Sequence, residues 1–356
     1  MITPPTPQQQ IEFLGKLQRL LSDGLFVASY KFALLRALAD LSVQRGDDTG
    51  SELDLPVSGI AEQFIALYWR QVRPFAMRPV PGTPILRQNS GVQAKVVRIL
   101  AGVQGRYDGS LGEFQRTDKE WRRYRSLIAS EVAKMPLWKL QRVGRKVDDF
   151  LYAQTESRSS IVLRPGIAFC FRKFYGLIRN VVEGAWAAYV RRLNQDALGE
   201  AADLQEFLFG SERTVLEAFR PILLDLQKGR CFYCEKPLVR QGHVDHFVPW
   251  SRYPVDLGHN FVLADAQCNN QKTDMLAAEE HLVHWVERNR VYNSDLSRFF
   301  RTASLPSDLN LTRAVTRWAY SQTAEANGMV WVRGKTLVPL GRAWATLLQI
   351  APPQTG

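Results

Sequence analysis

Apolar residues recur at helical spacing along most of the chain. In residues 30–41, Phe32, Leu35, Leu38 and Leu41 fall three apart with Ala33 and Ala37 beside them, which predicts an amphipathic helix. Residues 11–21 repeat the pattern, while residues 1–9 are rich in Pro and Gln and read as loose. The stretch GDDTGSELDLPVSG is a polar connector, and Ser58 is placed to cap a helix over residues 60–72. Residues 73–91 hold four prolines and two glycines without a period and read as a linker. From 92 to 155 the helical pattern returns. Residues 161–164 suit a short strand ending at Pro165, and 167–192 predict one long helix, apolar on most sides, in which Cys170 is a buried small hydrophobe. Further helices are expected at 204–209, 214–226, 277–289 and 311–326, and MVWVRGKTLVPL reads as a hairpin around Arg333 and Gly334. No internal repeat is visible.

Charge changes this picture in one region. The chain carries +11 overall with a pI near 9.6, and residues 91–192 alone hold 20 Lys and Arg against 9 Asp and Glu. The excess is therefore local, as expected where a polyanion such as nucleic acid is bound. Trp121, Tyr124 and Trp138 are interleaved there with Arg122, Arg123, Arg125, Lys139, Arg142, Arg145 and Lys146. Such a stretch is either the apolar face of a charged helix or a surface where aromatics stack on bases and cations meet phosphates. A hydrophobic fraction of 46% is that of a globular protein. No apolar run approaches the roughly 20 residues of a membrane span, and the N-terminus has no secretory pattern. No GxxxxGK[ST] loop is present. Four cysteines, two of them in a CxxC, suit a reducing compartment, so a cytoplasmic protein is expected.

Scarce ligand residues are concentrated in one stretch. Residues 231–272 contain three of the four cysteines and three of the five histidines. Cys231 and Cys234 have the spacing at which two thiolates grip one Zn²⁺ from a turn, and Cys268 supplies a third. Asp265, His259 and His281 are the candidates for a fourth ligand. Next comes His243-Val244-Asp245-His246, with Pro249 behind it, then Asn260 and Cys268-Asn269-Asn270-Gln271-Lys272. Cys231, Cys234, Asp245, His246, Pro249, Asn260, Cys268, Asn269 and Lys272 together resemble the motif of the HNH, or ββα-metal, nuclease family, over about 45 residues of the chain.

The helical pattern, with the resemblance at residues 228–276, predicts a mainly α chain in three parts. A large helical N-terminal domain (1–72 with 92–227) precedes a small ββα-metal domain (228–276), and a short helical C-terminal region with a β-hairpin (277–356) follows. The resemblance implies metal-dependent hydrolysis of DNA, with His246 as general base, Asp245 and Asn269 as oxygen ligands of Mg²⁺ or Mn²⁺, and Asn260 holding the loop that carries His246. Zinc would be structural. His243 either assists at the phosphate or is an ordinary strand residue, and Lys272 either faces the phosphate or is solvated. Asp265 departs from the family pattern, where a cysteine is common. Adjacent strand residues point to opposite faces, so Asp245 and His246 reach one phosphate only if the strand ends or bulges there. Duplex DNA is the expected partner, in a setting of bacterial phage defence or restriction with other proteins of such a system. An RNA-directed nuclease and a non-cleaving zinc module that binds DNA or a protein are the alternatives.

Overall fold

The computed structural model describes residues 3–24, 26–75, 84–143, 146–153, 159–196, 198, 203–210 and 213–348. It is mainly helical, 58% helix and 11% strand, and its contacts divide it into two units, Met1–Gly210 and Ser211–Gly356. The central part of the 73–91 linker lies outside the described residues. No helix among the described residues is long and apolar enough to cross a membrane.

The first unit contains α1 (Pro7–Asp23), α2 (Tyr30–Arg45), β1 (Leu53–Pro56), α3 (Val57–Trp69), α4 (Lys95–Gln104), α5 (Leu111–Arg116), α6 (Asp118–Lys134), α7 (Pro136–Lys139), β2 (Arg142–Val143), β3 (Lys146–Val147), β4 (Ser160–Leu163), α8 (Ile167–Lys173), α9 (Tyr175–Leu193) and α10 (Leu204–Phe209). The Pro- and Gln-rich start is not loose. Thr6 and Gln9 form a reciprocal capping box and Pro7 takes the first helical position, where its missing N–H costs nothing. Helix α2 is buried along nearly its whole length and is the axis of the unit. The polar connector holds a strand that periodicity did not predict: β1 pairs antiparallel with β4, Leu55 opposite Ile161. Helix α3 begins at Val57, so Ser58 lies inside it and does not cap it.

The expected long helix at 167–192 is two helices, broken at Phe174 (φ −105°, ψ 19°). Ahead of the break, Arg172 holds Asp48 and donates to the Ser42, Val43 and Gly46 carbonyls at the end of α2. Just after it, the Tyr175 hydroxyl donates to Asp40 (2.7 Å), and Arg36 joins Asp40 to Glu183. These are buried charges whose cost is offset only because each is paired and hydrogen-bonded. Cys170 is buried, which pushes its thiol up to about 12.

The second unit contains α11 (Arg213–Leu226), β5 (His243–His246), β6 (Phe261–Ala264), α12 (Ala266–Lys272), α13 (Glu279–Val291), α14 (Asn293–Thr302), α15 (Leu309–Glu325), β7 (Met329–Arg333), β8 (Thr336–Pro339) and α16 (Ala343–Leu348). Strands β5 and β6 pair antiparallel, with His243 opposite Ala264 and His246 opposite Phe261, and α12 follows directly. One face of this ββα element closes on Phe219, Leu223, Leu296 and Phe300 of α11 and α14. Helix α13 pins the start of β6: Trp285, Arg288 and Asn289 all donate to the His259 carbonyl, and Arg288 also to that of Phe261. The β7–β8 hairpin turns at Gly334, whose φ of 58° suits a residue without a side chain. Trp331 of this hairpin packs edge-on against Tyr233, one of the two residues between the paired cysteines. The C-terminal residues are thus built into the same unit as the ββα element.

Candidate functional site

Three cysteines converge beside β6. The turn carrying Cys231 and Cys234 follows Gly229 (φ 66°) and is closed by Glu235 (φ 58°), whose N–H donates to the Cys231 carbonyl. The Phe232 N–H donates to the Leu263 carbonyl at 2.9 Å, which docks the turn on the strand. Cys268 rises from the first turn of α12. The three sulfurs lie within 4.8 Å of one another, and the Asp265 N–H donates to Cys231 Sγ at 3.2 Å. Burial pushes both Cys231 and Cys268 above the ordinary thiol range, and the neighbouring Cys231 adds to the effect on Cys268. A divalent cation reverses this, because metal binding takes the thiolates and releases their protons.

None of the three candidates for a fourth ligand joins the sulfurs. The Asp265 carboxylate caps α12 by accepting from the Gln267 N–H at 2.8 Å, which is what a short acid does just before a helix. His281 Nε2 donates to the Val332 carbonyl at 2.8 Å. His259 is buried and packs edge-on against Phe300. Burial lowers the His259 pKa to about 4, with Arg288 adding to it. The folded state therefore refuses a proton that the unfolded chain accepts below about 6.5. Stability should be fully present above that pH and fall as pH drops toward 4, by about 3 kcal/mol from this residue. Unfolding free energies from urea titrations should fall between neutral pH and pH 4.5 by about 3 kcal/mol more in wild type than in His259→Phe; an equal fall in both would exclude it.

Asp245 and His246 diverge. Strand β5 ends at His246 without a bulge, one further bond joining Phe247 N–H to the Asn260 carbonyl. Asp245 is buried against Tyr233 and Lys272: Oδ2 accepts from the Tyr233 hydroxyl at 2.6 Å and lies 3.1 Å from Lys272 Nζ. Lys272, a candidate for phosphate contact, is thus neither solvated nor free for phosphate. It is fully buried and also donates to the His246 carbonyl at 2.9 Å. The reason is local, since a carboxylate on this face without a cation would cost several kcal/mol in desolvation. Asn269, three residues earlier on α12, is half-buried and its side chain makes no hydrogen bond among the described residues. His243 is exposed at the start of the strand, in an open groove with Arg220, Arg240 and Asp265.

On the other face, the His246 ring packs 4.7 Å from Phe261 and 5.5 Å from Trp250. Its Nε2 lies 2.8 Å from Asp256 Oδ1. No sequence pattern marked Asp256, because its approach depends on how the loop at 247–260 folds. Asn260 holds the start of that loop: its amide accepts from the Val248 N–H (2.9 Å) and donates to the Val248 carbonyl (3.0 Å).

In the first unit, Arg122 and Arg123 are exposed on α6, while Arg125 is half-buried and pairs with Glu62. Lys139 and Arg142 are exposed at the end of α7 and in β2, and the Trp138 indole beside Lys139 is 46% exposed. Trp121 and Tyr124 pack edge-on against Phe114, so those two aromatics line the inner face of α6. Arg145 lies outside the described residues, as does the side chain of Lys146. Comparison with curated proteins and with solved structures found no match. The model of a domain of unknown function, DUF8808, matches residues 10–208. That span is more than half of the chain and lies within the first unit, so the protein belongs to the DUF8808 family.

Proposed function

We propose that the second unit is a metal-dependent nuclease of the HNH type acting on DNA, and that the basic surface of the DUF8808 unit contributes phosphate contacts. The observation that carries this reading is the His246–Asp256 pair at the end of a ββα strand whose neighbouring turn and helix bring three thiols together. His246 acts as the general base. Asp256 accepts from Nε2–H, which leaves Nδ1 as the nitrogen that takes a proton from water. Asn260 ties the end of the 247–260 loop to Val248 near its start.

The donor sets differ in how well they suit their ions. Three thiols fit Zn²⁺ with a fourth donor from outside the described side chains. Asp245 and Asn269 are oxygen donors of the kind Mg²⁺ or Mn²⁺ takes, and the cation beside Asp245 here is the Lys272 ammonium. A divalent ion would take Asp245 only in exchange for Lys272. When bound, it would neutralise charge on the phosphate and the departing oxygen.

That same ion pair favours a second reading, a zinc-containing module that binds DNA or a protein without cleaving, because an internal cation already neutralises Asp245. Purified protein incubated with supercoiled plasmid, linear duplex and structured RNA, with added Mg²⁺ or Mn²⁺, separates the readings. Cleavage of DNA supports the first, cleavage of RNA alone changes its substrate, and binding without cleavage supports the second. A role in phage defence or restriction, with partner proteins of such a system, belongs to the first reading. On it, Asp256→Asn should lower kcat on the order of tenfold with KM nearly unchanged, because the imidazole loses its orientation while the substrate surface is kept. An unchanged kcat would remove Asp256 from the mechanism.

A further inference from the structure

Among the described residues, Lys31 is a charge without a counter-charge. It lies in the first turn of α2, is only 7% exposed, and no carboxylate among the described residues comes within 4.0 Å of its ammonium. Its contacts are the Arg142 carbonyl, to which Nζ donates at 3.3 Å, and the face of Phe26, 5.3 Å away. The charged groups that act on it are Lys139 and Arg142, both cations. Burial, then these two charges, lower its pKa to about 8. The start of a helix is also the end at which a cation is least favoured. Burying a lysine, unpaired, among cations and at the wrong helix end costs stability three times over, and an anion at this place would relieve all three costs.

We infer that Lys31, Lys139 and Arg142 form a subsite for a phosphate group of a nucleic-acid backbone. Lys31 is its buried floor, and Lys139 and Arg142 are its exposed rim. The inference rests on the nucleic-acid-binding half of the proposed function and is independent of cleavage.

The test measures two quantities on the full chain carrying His246→Ala, so that cleavage plays no part. One is the affinity for a labelled oligonucleotide across salt concentrations, and the other is Tm in its absence. Lys31→Met keeps the apolar stem and removes the charge. It should weaken binding by about tenfold, reduce the salt slope by about one phosphate, and raise Tm by about 3 °C. A side chain with a merely structural role would give the opposite, a lower Tm with unchanged affinity, and that result overturns the subsite. Lys139→Ala with Arg142→Ala, both at exposed positions, should give a similar loss of affinity in a folded chain, and unchanged binding there also overturns it. In a parallel arm, millimolar orthophosphate should leave oligonucleotide binding nearly intact; displacement by orthophosphate at these concentrations would make a free phosphate the ligand and overturn the nucleic-acid assignment.

Discussion

His246→Ala is expected to lower cleavage by about 10²–10⁴-fold, the contribution of a positioned general base, while oligonucleotide binding stays nearly unchanged. The imidazole stands at the end of β5, held by Asp256 through Nε2 and packed against the rings of Phe261 and Trp250. Removing it also removes aromatic packing against Phe261, so some stability is lost with the activity. His246→Gln retains more of the volume and a hydrogen-bonding amide but has no basic nitrogen. Loss of cleavage in both variants, with the fold kept in the second, assigns the effect to chemistry. A His246→Gln protein that still nicks plasmid at the wild-type rate would end the base assignment and leave the binding-module reading.

Cys268→Ser should bring zinc from about one ion per chain to near zero and strip the second unit of much of its stability. Apparent binding energies of structural zinc sites are about 10–16 kcal/mol near neutral pH, far above what one buried side chain supplies. The sulfur cluster joins three pieces: the turn at Cys231 and Cys234, strand β6 docked on it, and the first turn of α12. Without the ion these are held by few bonds and by thiols whose burial keeps them protonated. Metal analysis of the variant, with urea unfolding followed by circular dichroism, checks both parts. Asp265→Ala is the contrast. Its carboxylate caps α12 and stands apart from the sulfurs, so it should keep its zinc and lose about 1 kcal/mol of helix capping. Zinc retained in Cys268→Ser would show that the cluster is not the site.

Much of the secondary structure was legible because helical burial leaves a period. The pattern in residues 30–41 marked α2, and 204–209 marked α10 to the residue. Misreadings came where local chemistry and tertiary contact disagree. Pro7 and the glutamines around it look like a loose tail, yet the Thr6–Gln9 box starts a helix there. Leu53–Pro56 is too short and too polar to announce a strand, and only β4 makes it one. The apolar run at 167–192 has no proline, and its glycines Gly176 and Gly184 both lie inside α9, so no residue type marks Phe174, where the helix divides between Arg172 and Tyr175 and their separate partners on α2.

At the site, residue types and spacing determined by themselves that three thiols and a Asp-His pair would share one small element, because CxxC turns and strand-following helices are local structures. What only the tertiary structure decided is which of these groups meet. A strand sends Asp245 and His246 to opposite faces, so Asp245 went to Lys272 and Tyr233, and His246 to Asp256. Asp265, three residues before Cys268 where a fourth ligand was expected, became a helix cap. Each outcome follows from the same physical fact: a buried charge must find a partner, and sequence spacing does not say how far away in the chain that partner will be.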